Sequence, residues 1–430
     1  MSGTVTSNVF KASGVIAATP GGLDWSSAVI TGSTLSAETG RGYFINTTSN
    51  ACTITLPASP AIGDQIVFAD YARTWATNNV IIDSNGNNFQ GEADNYTVDY
   101  STAGQSLNIV YSDATKGWLP VSDDAVASAG IAPPTQKAIF AFGTTGGSSR
   151  INTSNLVSSS GVVASNTSGV GTARTNPAGV SYGLDKGIFA FGQDSSGKTN
   201  VKNLVNNSGV IASDATGVGT ARQATRGAAY GGDKAVFAFG TDSSADVAIS
   251  NKVSNSGVVA TDTSAVSGTS ARNNPGAVGY GGDKGIFAFG GGPLMNTRNL
   301  VSNQGVVAAD ATGAGSNRSS PSGASYGSDK AIFCFGYLGS DNIANVSNLV
   351  SNTGVVASDT AGVGTQRTSL SGNGYGGDKA IIAFGNSNTA STTPTNISNK
   401  ISNSGVIASD TSGVGESRYQ LASAGYSNSA

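Results

Sequence analysis

Between residues 137 and 426, short apolar runs recur at a nearly constant interval, separated by stretches of Gly, Ser, Asn and Asp. The clearest run, Tyr280 to Gly290, reads YGGDKGIFAFG. A polar turn at Gly281, Gly282 and Asp283 leads into a strand with Gly285, Phe287 and Phe289 on one face and Ile286 and Ala288 on the other. Both faces are apolar, so the pattern predicts a strand covered on both sides. The stretch returns at Tyr182, Tyr230, Tyr326 and Tyr375, and its second half at Lys137 to Gly143. The lysines after the turn are Lys137, Lys186, Lys234, Lys284, Lys330 and Lys379, spaced by 49, 48, 50, 46 and 49 residues. No segment sustains an apolar period of about 3.6, so no helices are expected.

Each copy predicts four short strands: the one ending at the tyrosine, then GIFAFG, then NLVSN or NKVSN, then a GVVASD-like run. Repeats of this size, too small to bury both faces alone, must stack on one another. The first copy begins at Gln136–Lys137 without its leading strand, whereas the last runs past Arg418 into LASAGY, ending at Tyr426. The missing strand is therefore available near the far end, where pairing would remove two open edges. The expected fold is all-β: a six-bladed β-propeller over residues 137–430, closed by its C-terminal strand. An open β-solenoid would have no need of that permutation.

Residues 1–126 do not share the repeat and hold all three tryptophans, Trp25, Trp75 and Trp118. Cys52, Ile54 and Leu56 alternate along ACTITLP, and QIVFAD, NVIID and LNIVY follow as strands. The DSNGNN stretch from Asp83 predicts a hairpin turn. A small N-terminal β-sandwich-like domain is expected. Residues 127–136 are a linker by composition, stiffened at Pro133–Pro134. The first dozen residues fit a flexible attachment arm or a disordered end equally. Nothing resembles a signal peptide or a membrane span.

The chemistry available is narrow. The 430 residues include no histidine, which excludes Ser-His-Asp and Cys-His catalysis and removes the commonest zinc ligand. Cys52 and Cys334 fall in different domains, so neither a disulfide nor a thiolate metal site is expected. Only three glutamates occur, Glu38, Glu92 and Glu416, too few in the repeats for a facing acid pair. With 11% charged residues and a net charge of −3, neither nucleic acid nor an anionic membrane is a natural partner. No enzyme activity, metal or cofactor is expected.

Most aspartates recur in register, Asp185, Asp233, Asp283, Asp329 and Asp378 in the turn and Asp214, Asp262, Asp310, Asp359 and Asp410 after GVVAS, with Asn166 in the first copy. Recurrence in every copy points to building the fold. Arg174, Arg222, Arg272, Arg318, Arg367 and Arg418 recur too. They admit two readings: cations around one mouth of a channel, or structural partners of the aspartate eight residues earlier, as Asp214 with Arg222 or Asp359 with Arg367. The segments after IFAFG share little sequence: 144–150, 193–200, 241–250, 291–298, 337–346 and 386–396. In a meander they emerge together with the GVGTAR connections. Diversified loops on a constant scaffold mark a binding surface, against which stands simple drift. The candidate contacts are Arg150, Asp194, Lys198, Asp242, Asp246, Arg298, Tyr337 and Asp341.

The order R…AG…YG.DKAIFAFG…N.V…GVVASD…R resembles the kelch-type propeller repeat, although no tryptophan lies in the copies. More specifically, DKAIFAFG, NLVSNSGVVASDT and GVGTAR resemble repeats of virion fibre proteins from tailed bacteriophages, especially those of cyanobacteria. TITLPASPAIGDQIVFADYA and LNIVYSDATKGWLPV resemble a β module, often trimeric, of phage tail fibres, which implies anchoring or oligomerisation as the role of the N-terminal domain. The resemblance implies a tail fibre or appendage assembled in the host cytoplasm into the virion. Its partners would be other virion proteins, copies of itself in a homotrimer, and a host-surface glycan. A purely architectural decoration of capsid, collar or tail is the alternative, and a polysaccharide depolymerase a third.

Overall fold

The computed structural model describes residues 23–92, 98–123, 135–147 and 149–429, with the backbone of 9–12 and 15–18. These residues are all-β, with no helix among them. Most of the expected linker, residues 127–134, lies outside them; of the first dozen residues only 9–12 are described, as a strand antiparallel to 15–18. The chain divides into two compact units, residues 1–130 and 131–430.

Among the described residues of the first unit from 23 onward, two sheets enclose one core. Strands Asp24–Trp25, Arg41–Ile45, Gln65–Asp70, Ser106–Asp113 and Gly117–Ser122 form one, and Thr34–Ser36, Cys52–Thr55, Val80–Asp83 and Val98–Tyr100 the other. As far as Val80–Asp83 the chain passes from sheet to sheet at each step, so neighbours within a sheet run parallel. The alternation read at Cys52 and Ile54 is real: both are fully buried, beside Trp75 and Trp118. A turn forms after Asp83, the Asn87 backbone amide donating to the Ser84 carbonyl, but it does not lead directly into the returning strand: Val80–Asp83 pairs antiparallel with Val98–Tyr100. The Asn85 and Asn87 side-chain amides donate to the Leu56 and Pro57 carbonyls, tying the turn to the preceding pass of the chain.

The second unit contains six three-stranded antiparallel sheets that share one design, the third strand also joining a short fourth segment through isolated bridges. In the third, the leading strand Arg226–Tyr230 pairs with Lys234–Ala238, which pairs with Ser250–Val253. The other leading strands are Ala178–Tyr182, Gly276–Tyr280, Ser322–Tyr326, Ser371–Tyr375 and Ala422–Tyr426. The last of these pairs with Lys137–Ala141, so residues near the end of the chain complete its first sheet. Every residue of Gly285–Gly290 is buried, as apolar faces on both sides require.

The expected fourth strand is irregular. In the third copy it meets the third strand only at two bridges, Val253 with Val259 and Ser250 with Thr263. Between them the Asn251 amide donates to the Ala260 carbonyl and the Asp262 carboxylate, so a side chain takes over part of the ladder.

Contacts between sheets run in a circle. Phe142 meets Phe189, Phe191 meets Phe237, Phe239 meets Phe287, Phe289 meets Phe333, and Phe384 meets Phe140, all edge-on at 5.3 to 5.6 Å between centroids. Ile382 takes the ring's place beside Phe335. At one end, amides of Gly183, Gly231, Gly281, Gly327, Gly376 and Ser427 donate to the carbonyls of Asp233, Asp283, Asp329, Asp378, Gln136 and Asp185. That circuit returns to its start. Each leading-strand tyrosine lies over a glycine of the following sheet, as Tyr182 over Gly257, where a Cβ would come within 2.9 Å of the ring and φ is +79°. Glycine is needed there for both the close approach and the left-handed backbone.

Candidate functional site

The six recurrent arginines are not at a channel mouth; all are fully buried. Five pair with an aspartate of the following copy rather than their own: Arg174 with Asp214, Arg222 with Asp262, Arg272 with Asp310, Arg318 with Asp359 and Arg367 with Asp410, at 3.5 to 4.0 Å. The pairing eight residues apart is therefore corrected: stacking of successive sheets brings the next copy's aspartate over the guanidinium. Each guanidinium also lies over a phenylalanine ring, Arg222 4.1 Å from the Phe191 centroid. Arg222 donates to Asn251 Oδ1 at 2.6 Å and to the Phe239 carbonyl at 2.9 Å. Burial lowers each of these arginines to about 10. Burial alone would raise the Asp262 carboxyl, but hydrogen bonds from Thr220 and Asn251 and the Arg222 charge hold it below its ordinary value. These groups clasp one sheet to the next, leaving them unavailable to a ligand.

The sixth clasp differs. Opposite Arg418 stands Asn166 in place of aspartate, and Glu416 replaces the Thr or Ser that elsewhere bonds the aspartate. The Glu416 amide donates to Asn166 Oδ1, and Arg418 donates to the Phe140 carbonyl.

The diversified loops start beside these clasps. Their first residues Thr144, Gln193, Thr241, Gly291, Tyr337 and Asn386 bridge Tyr419, Thr175, Gln223, Asn273, Ser319 and Thr368, each directly following a recurrent arginine. Loops and arginine connections therefore occupy the same end, and the constant Tyr-Gly turns occupy the other.

Most of the candidate contact residues build the loops. Asp194 Oδ1 accepts from the Ser196 and Gly197 amides, and Asp242 Oδ1 from those of Ser244 and Ala245. The Ala245 and Ser244 amides hold the Asp242 carboxyl below its ordinary value. Asp246 accepts from Thr241 and from the Asn273 amide at 2.8 Å. The Lys198 ammonium donates to the Asp242 carbonyl, and Thr389 donates to the Asp341 carbonyl, so adjacent loops are joined. Asp341 is exposed at the tip of a hairpin formed by Lys330–Gly339 and Asn342–Val350. Tyr337 is half-buried on that hairpin and accepts from the Asp341 amide. Arg150 is half-buried where the first loop closes on Thr144.

Arg298 is not a loop residue. It lies in strand Met295–Val301 opposite Ala288, because the short GGPL turn lets the ladder run back past it. Among the described residues, no group of three or more acidic or cysteine side chains could hold a metal.

The leading strands border a central cavity that sequence reasoning missed. Near the loop end its lining includes Pro177, Arg226, Ser322, Ser371, Leu421 and Ser423. A second cavity shares Ser181, Ala229, Gly279, Ser325 and Asn373 with it and is lined toward the constant end by Tyr182, Tyr230, Tyr280, Tyr326, Tyr375, Lys284 and Lys379. Arg226 is the one available signal, standing where other copies have Ala178, Gly276, Ser322, Ser371 and Ala422. The chain matches no known protein-family model and no curated protein.

Proposed function

We propose that residues 137–430 form a six-bladed, kelch-like β-propeller that binds a host-surface receptor through its loop end, within a virion fibre or appendage of a tailed phage. The circular order of sheet contacts and the pairing of Ala422–Tyr426 with Lys137–Ala141 support the propeller. The observation that carries the binding reading is the contrast between ends. One is a circuit of near-identical turns; the other carries six loops of different sequence, among them the extended hairpin of Lys330–Gly339 and Asn342–Val350. A scaffold that repeats its core and diversifies one end presents that end for recognition. The virion assignment rests on resemblance of the repeats and of the N-terminal β module to phage fibre proteins. The receptor class is a glycan, and weak single-site binding would be multiplied by trimeric copies on one particle.

The architectural alternative draws support from the loop-to-loop bonds at Lys198 and Thr389, which engage groups otherwise free to contact a receptor. One experiment separates the two readings. The full chain and a variant with all loops shortened are incubated with host cells, alone and cross-linked as trimers. Saturable binding that whole phage competes away and that disappears with the loops supports the receptor reading. Absence of binding, even by the trimer, assigns the loop end to contacts inside the particle.

A further inference from the structure

The central cavity breaks the repeat in a way the loop-binding reading leaves unused. Of the residues that line its loop-end half, only Arg226 is ionisable. Arg226 donates to the Thr225 carbonyl at 3.0 Å and to Asn274 Oδ1 at 3.1 Å, both neutral acceptors. Among the described residues no carboxylate lies within ion-pairing distance of it, in contrast to Arg174, Arg222, Arg272, Arg318 and Arg367. Arg226 is half-buried, and burial draws its guanidinium down to about 10. It therefore remains charged at neutral pH. The other sheets have no cation at this position, which Ala, Gly or Ser fills.

The rest of the lining suits an anion. The Ser322 hydroxyl and the Asn373 amide border the same space, with no acidic side chain among the lining residues; the Ser371 hydroxyl donates to Ser423 and the Ser423 hydroxyl to the Gly372 carbonyl. Lys284 and Lys379 at the constant end are already paired with Asp283 and Asp378, which leaves Arg226 as the cation without a carboxylate partner among the lining residues. A second circuit of backbone bonds, open between Ser320 and Ser369, joins the sheets beside the cavity: amides of Asn176, Ala224, Asn274, Ser320 and Gln420 donate to Gln420, Asn176, Ala224, Asn274 and Ser369. Asn274, which holds Arg226, belongs to this circuit. The guanidinium is thus fixed at a rigid rim rather than on a mobile loop.

We propose that the loop-end half of the central cavity is a binding site for a small oxyanion, a sulfate or carboxylate group, with the Arg226 guanidinium as its charge partner. A planar guanidinium matches such groups through two parallel hydrogen bonds, and enclosure strengthens them. The group can arrive as a free inorganic anion or as the acidic substituent of a saccharide. The site itself is independent of whether the loops bind a receptor.

Equilibrium dialysis of the full chain with radiolabelled sulfate at constant ionic strength tests this. Saturable uptake of one sulfate per chain is expected, weakened about tenfold or more in Arg226→Ser and largely kept in Arg226→Lys. Arg226→Ser places there the residue of the fourth and fifth leading strands, and circular dichroism checks that it folds. A parallel arm uses a sulfated disaccharide: tighter binding than sulfate identifies the saccharide as source, equal binding the free anion, and both support the site. No saturable uptake, or equal uptake by wild type and Arg226→Ser, overturns the proposal.

Discussion

The sixth clasp offers a quantitative test of what joins the sheets. At the other junctions a fully buried guanidinium faces a carboxylate at 3.5 to 4.0 Å that is 20 to 30% exposed. At an effective dielectric constant of about 20, a pair at that distance attracts by about 4 kcal/mol. Desolvation and screening of the half-open carboxylate reduce the net contribution to about 1–2 kcal/mol. At the closing junction Asn166 supplies no charge, and Glu416 replaces the hydroxyl that elsewhere bonds the carboxylate. Asn166→Asp alone should stabilise little, because the new carboxylate meets the Glu416 charge as well as Arg418. Adding Glu416→Thr removes that repulsion and restores the hydroxyl donor. The double variant should gain about 2 kcal/mol, with coupling between the substitutions of about 1 kcal/mol. Urea unfolding of the full chain, followed by labelling of the buried Cys334, reads this unit alone. The carboxylates at existing clasps lie below their ordinary value when folded. A group of this kind stabilises above its unfolded value, about 3.9, and the stabilisation is lost as pH falls through the lower folded value. The gain should therefore vanish in strong acid. A double variant no more stable than wild type at neutral pH, or a gain unchanged below pH of about 2, would refute the clasp account.

Three further outcomes follow from buried groups. Burial pushes the Cys334 thiol up to about 12 and raises that of Cys52. Both should resist labelling in the native protein, and mass spectrometry in rising denaturant should show Cys52 and Cys334 exposed as their respective units open. Burial raises Tyr182, Tyr230, Tyr280, Tyr326, Tyr375 and Tyr426. Their stabilising effect is complete below the unfolded value of about 10 and is lost as pH rises through the folded values, so the share of the tyrosinate absorbance that these six of the 13 tyrosines supply should rise late and together with unfolding. Immediate titration of all tyrosines would contradict this. Gly217→Ala would put a Cβ 1.4 Å from the Asn200 carbonyl oxygen, and should cost about 2–3 kcal/mol in urea unfolding.

The repeat was legible because one physical demand recurs in it. A strand buried on both faces needs apolar residues at every position, and KGIFAFG supplies them where an alternating strand would not. The strand missing before Lys137 and spare after Arg418 disclosed the pairing later seen between Lys137 and Tyr426. What the pattern concealed was partnership between copies. Asp214 lies near Arg222 in sequence, yet bonds Arg174, because contacts across stacked sheets leave no trace in local spacing. The passage of the first unit between sheets was hidden likewise, since Cys52–Thr55 alternates in the same way whether its neighbours run parallel or antiparallel. Arg226 was visible as a departure from the repeat, but a search for what recurs passes over what does not.

The pairing of Lys137–Ala141 with Ala422–Tyr426 also fixes how the second unit answers a pull. Lys137 faces Tyr426 directly, and the ladder runs from there to Ala141 opposite Ala422. A load applied through residues 137 and 426 acts on one end of this ladder, so its hydrogen bonds carry the force one at a time and open like a zipper. The same strands loaded along their length from opposite ends would share the force across the whole ladder and slide apart only under a much larger one. The seam that makes the unit continuous is thus its line of least mechanical resistance when the chain is drawn from that point.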